Sequence, residues 1–145
     1  MNGMSSAKGR AGEREIAATL RVLTGCDVRR KPRQRDFDSG LEGVPGWWLE
    51  VQRHAGAERA DIARWWRKTS AQARKAVRLP VLFYRADRDR WRAVWPLAAH
   101  LRTQSVEMWS AYAWAVEGSP EAWAAAAREF AMPESTRIEP TKRWG

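Results

Sequence analysis

The spacing of apolar residues changes several times along this chain, and each change marks an element. Over residues 8–24, Ile16, Leu20 and Leu23 recur at helical intervals. Ser5 or Ser6 can cap that helix and Gly25 can stop it. Glu13 lies on the same stripe one turn before Ile16, while Glu15 is turned away. A first-turn glutamate also complements the helix dipole, which is a purely structural use for Glu13. Residues 27–31 form a short strand candidate. Val44-Pro45-Gly46 is a turn, after which residues 47–53 alternate as a strand does. Trp47, Leu49 and Val51 point one way, and Trp48, Glu50 and Gln52 the other.

Residues 58–78 give the clearest helical pattern, with Ile62, Trp65, Trp66, Thr69, Ala73, Ala76 and Val77 on one face. Leu79-Pro80 ends it. Val81-Leu82-Phe83-Tyr84 is continuously apolar, which suits a strand covered on both sides. Residues 91–95 predict a further strand. Pro96 then opens a helical tail, and Ser119-Pro120-Glu121 is a helix start. Trp109, Trp114, Trp123 and Phe130 are expected to pack this tail onto the core or onto a second subunit. The expected class is α/β: a mixed sheet flanked by helices over residues 1–100, with a helical C-terminal extension over 101–145.

Charge adds a partner to this picture. The chain of 145 residues has a formal net charge of +9. Residues 1–105 carry 22 Lys and Arg against 11 Asp and Glu, and residues 106–145 carry 4 against 6. A basic first two-thirds favours a polyanion, nucleic acid above all. Arg29-Arg30-Lys31-Pro32-Arg33-Gln34-Arg35 packs five cations into seven residues and reads as a phosphate-contacting loop. The sequence has no run of 18 apolar residues and no signal-peptide pattern, so a cytoplasmic protein without a membrane partner is expected. Cys26 is the single cysteine and has no internal partner. His54 and His100 lack ligand spacing, and no Gly-rich phosphate loop follows a strand.

A buried strand carboxylate such as Glu50 needs a partner, and a divalent cation is one candidate. Here a family comes into view. Lys8-Gly9-Arg10-Ala11-Gly12-Glu13-Arg14-Glu15 resembles the N-terminal helix of archaeal-type Holliday junction resolvases, including their phage-encoded relatives. With Gly43-Val44-Pro45-Gly46-Trp47-Trp48-Leu49-Glu50-Val51, the resemblance covers about residues 8–95. It implies a PD-(D/E)xK nuclease core and a homodimer that cleaves four-way DNA junctions with magnesium or manganese. Glu13 and Glu50 match the family's two glutamates as metal ligands. The family's aspartate falls on Gly40 and its lysine on Gln52.

Both departures touch the chemistry. Magnesium takes hard oxygen ligands, and a cation near the phosphate stabilises transition-state charge. Gly40 supplies no ligand, and Gln52 supplies a hydrogen bond without charge. Asp38 is a candidate third ligand, displaced from position 40 by roughly 6–7 Å along a regular strand. Weak or absent cleavage with retained junction binding is therefore expected, and Gly40→Asp with Gln52→Lys is expected to raise cleavage. The DNA contacts are assigned to Lys8, Arg29, Arg30, Lys31, Arg33, Arg35, Arg53 and Lys68. The alternatives are a junction-binding protein of nuclease descent that does not cut, and a plain basic nucleic-acid-binding module.

Overall fold

Among the described residues, six strands form one mixed sheet and are hydrogen-bonded in chain order. A computed structural model describes residues 2–32, 40–101 and 103–130, and the side chains of all of these except 2–8 and 130. The strands are β1 (Arg29–Arg30), β2 (Gly40–Glu42), β3 (Trp47–His54), β4 (Leu79–Ala86), β5 (Arg92–Pro96) and β6 (Ala115–Gly118). Only β3 and β4 run parallel; every other neighbouring pair is antiparallel. A parallel pair needs a crossover, and α2 (Arg59–Lys75) supplies it.

The sheet is covered on both sides. Helix α1 (Asn2–Thr24) lays Ile16, Ala17 and Leu20 against Leu41, Leu49, Val51 and Phe83. Gly25, at φ 71°, ends it as expected. On the opposite face α2 packs Ile62, Trp65 and Trp66 against Leu82, Tyr84 and Val94. Glu58 and Asp61 close a reciprocal capping box at its start. The helix stops at Lys75, three residues before the sequence pattern ends. Val77 takes φ 56° and Arg78 N–H donates to the Ala73 carbonyl, which turns the chain. Leu79 and Pro80 then belong to the strand and not to the helix end, with Pro80 opposite Trp48.

The C-terminal third corrects the expectation of a purely helical extension. Short helical turns at Leu97–His100 and Tyr112–Trp114 flank α3 (Val106–Ser110), and β6 follows as a sixth strand. Ala-Val-Glu-Gly is too short and too polar to read as a strand alone. Its pairing with β5 makes it one, from Ala93↔Gly118 to Pro96↔Ala115. Tyr84 Oη donates to Glu117 at 2.8 Å, and Arg92 Nε pairs with the same carboxylate at 3.2 Å. Burial first, then the Glu117 hydrogen bond, pushes the Tyr84 phenol well above its usual range. Helix α4 (Pro120–Phe130) returns to the α1 face. There Trp123 meets Trp47 and Phe83 edge-on, at centroid distances of 5.4 and 5.1 Å. No helix among the described residues is long and apolar enough to cross a membrane.

Candidate functional site

Strand parity decides which side chains of β3 meet. Leu49 and Val51 are buried with α1 residues, so Trp48, Glu50, Gln52 and His54 face the α2 side, as the alternation predicts. Glu50 is only 2% exposed. Lys68 of α2 brings its Nζ to 3.6 Å from Glu50 Oε2, and Gln52 Nε2 donates to that same oxygen at 3.3 Å. A buried carboxylate is costly unless paired, and these two donors compensate it. The Gln52 nitrogen faces Glu50, so its Oε1 accepts from His54 Nε2, 2.7 Å away. His54 stacks on Trp65, with ring centroids 4.7 Å apart and 14° between planes. The row from His54 through Gln52 to Glu50 thus holds the carboxylate in one orientation.

Gly40 sits directly opposite Glu50 in the β2–β3 register, the place where a second strand carboxylate would share its face. The strands are too close there for a side chain. A Cβ at position 40 would lie 2.7 Å from the Leu49 carbonyl oxygen and 3.3 Å from Lys31 Nζ. The expected gain from Gly40→Asp therefore meets backbone, and β2 must shift before any carboxylate fits. Lys31 uses the space instead. Its ammonium lies 3.1 Å over the centroid of the Trp48 ring, a cation–π contact. Gly40→Ala is expected to destabilise the fold by about 1–3 kcal/mol, the usual cost of forcing atoms into a packed region. Urea denaturation measures this, and a variant as stable as the parent would remove the steric account.

Glu13 is 1% exposed and accepts from Arg30 Nε at 2.9 Å. Its helix packs on the Leu49 face, so Glu13 and Glu50 come from opposite layers, each with its own cation. Magnesium asks for about six hard oxygens in near-ideal geometry. Among the described residues no three Asp, Glu, His or Cys side chains converge to hold a metal ion. Among the described residues, Glu13 pairs with Arg30 and Glu50 with Lys68, and Gly40 and Gln52 bring no carboxylate to the other two positions. Asp38, Arg33 and Arg35 lie outside the described residues, as does the side chain of Lys8.

The remaining assigned cations divide. Arg29 is exposed and pairs with Asp27. Arg53 does not join the Glu50 face. Its parity turns it to the α1 side, where it packs on Gly12 and lies 3.8 Å from Asp87. The sequence reading missed Trp48 as the platform for Lys31 and His54 as the brace for Gln52. The signal was present in the period of two that puts positions 48, 50, 52 and 54 on one face. No protein-family model, curated protein or solved structure matches this chain.

Proposed function

We propose that this protein binds branched double-stranded DNA, four-way junctions above all, as a homodimer, through a PD-(D/E)xK-nuclease-like core that no longer cuts. The observation carrying this reading is the β2–β3 pair. Glycine faces Glu50 where a ligand would stand, and Lys68 holds the Glu50 oxygen where a cation would bind. The net charge of +9 and the cations along α2 support a polyanionic partner. A four-way junction is two-fold symmetric, so one binding face per chain favours a C2 dimer with self-complementary contacts.

A second reading is a magnesium- or manganese-dependent junction endonuclease. It is favoured by the burial of Glu13 and Glu50, since carboxylates withdrawn from water at a basic surface are common at metal sites. One experiment separates the two. A labelled four-way junction and a linear duplex of equal length are incubated with the protein, with and without magnesium or manganese. The expected result is a junction complex with two protomers and no cleaved product in either metal. Metal-dependent nicks at the branch would establish the endonuclease. Equal affinity for junction and duplex would leave only a basic nucleic-acid-binding module.

A further inference from the structure

We propose that the groove between α2 and residues 104–112 holds a single DNA strand, with its phosphates on the α2 cations and its bases against Trp109 and Tyr112. The groove rests on the DNA-binding reading above and adds which form of the nucleic acid it takes: an unpaired stretch, such as the opening of a branch point exposes.

The 104–112 segment is pinned to α2 at one residue. The Ser110 carbonyl accepts from Trp66 Nε1 at 3.0 Å and from Ser70 Oγ at 3.4 Å. Two hollows meet at that point, and Ser70, Arg74 and Ser110 line both. Their volumes are about 390 and 690 Å³, within the range of small-ligand sites. The two walls differ in chemistry. Arg67, Arg74, Lys75 and Arg78 stand on the α2 side and are exposed. Trp109 and Tyr112 stand on the other side and are half-buried. Trp109 Nε1 donates to the Thr103 carbonyl at 3.0 Å, which fixes the indole. Val77 and Val106 add an apolar rim, at 90% and 51% exposure. Among the described residues, no Asp or Glu lines either hollow.

The combination of walls selects the ligand. Cations alone suit any polyanion. A duplex keeps its bases inside, so it would leave the aromatic and apolar wall against water. A single strand offers a charged backbone and unstacked base faces together. A basic groove with aromatic side chains takes both, and it does so with little regard to sequence.

The test measures anisotropy of labelled oligothymidine, about 12 nucleotides long, with the full chain. A blunt duplex of equal length is titrated beside it. Trp109→Leu keeps an apolar side chain and removes the indole. It is expected to lose about tenfold in affinity for the single strand and to bind the duplex as the parent does. Val106→Glu puts a carboxylate on the groove rim, in the first turn of α3, where the helix dipole favours it. It is expected to weaken single-strand binding more than Val22→Glu, the same change at an exposed position of α1. Arg74→Gln is expected to lower the single-strand salt slope by about 0.7, the share of one phosphate.

Four outcomes overturn the groove. One is a parent that binds junction and duplex but not oligothymidine, which leaves the DNA-binding reading standing. Another is a parent that binds oligothymidine while Trp109→Leu loses nothing and Val106→Glu loses no more than Val22→Glu. The third is a parent that binds an acidic, leucine-containing peptide more tightly than oligothymidine, which assigns the groove to a protein partner. The fourth is a parent that binds no DNA at about 50 mM salt, where phosphate-driven binding is strong; that result sinks the DNA-binding reading together with the groove.

Discussion

Raising salt from about 50 to 200 mM is expected to weaken junction binding by about 10³-fold, with a log–log slope near −5. The reason lies on α2 and its exit. Arg59, Arg64, Arg67, Arg74, Lys75 and Arg78 are all exposed there, while the apolar stripe of the same helix is buried on the sheet. Helical geometry makes the split: one face satisfies the core, and the other is left for long cationic side chains. Each phosphate these residues neutralise releases condensed counterions, and that release weakens as bulk salt rises. About six phosphate contacts over the whole complex, roughly three per protomer, give the stated slope. Arg64 also pairs with Asp61 at 3.0 Å, but an exposed pair contributes little and yields easily to phosphate. Anisotropy titrations across a salt series measure the slope. A slope near zero would mean that binding is not carried by phosphates, and the α2 surface would need another explanation.

Trp123→Ala is expected to destabilise the chain by about 3–5 kcal/mol, a large share of the stability of any ordinary domain. Trp123 is fully buried, and its ring is edge-on to both Trp47 and Phe83. Truncation removes those contacts and leaves a cavity between α4 and the start of β3, the strand that carries Glu50. Trp123→Phe is expected to cost far less. The indole N–H is buried without a hydrogen-bond partner among the described residues, so a phenyl ring forfeits area but no hydrogen bond. Urea denaturation of the two variants gives the comparison. If Trp123→Ala unfolds at the same urea concentration as the parent, α4 is an appendage and not part of the core. Junction binding by Trp123→Phe should stay at the parent level, because the α2 face lies on the other side of the sheet.

Local pattern carried much of this protein. The stripe of Ile16 and Leu20, the stop at Gly25, the turn at Pro45-Gly46 and the alternation from Trp47 onward are properties of neighbouring residues. They specify helices, a strand and the face each side chain takes, because 3.6-residue and two-residue periods are written in the chain itself. The identity of β3, and the fact that Glu50 and Gln52 share a face, were legible for that reason. So was the α2 segregation of apolar and cationic residues. Partnerships across the chain were not. Nothing local says that Ala-Val-Glu-Gly at 115–118 pairs with β5, since four residues of weak propensity become a strand only beside an existing edge. Nothing local says that Gly40 lies opposite Glu50 with the Leu49 carbonyl blocking a Cβ, that Lys68 reaches Glu50 from 18 positions away, or that Arg30 is spent on Glu13. Those relations depend on register and on layer, and both are set by packing of the whole sheet between its helices. The sequence by itself determined which residues could do chemistry; the tertiary structure decided which of them stand together.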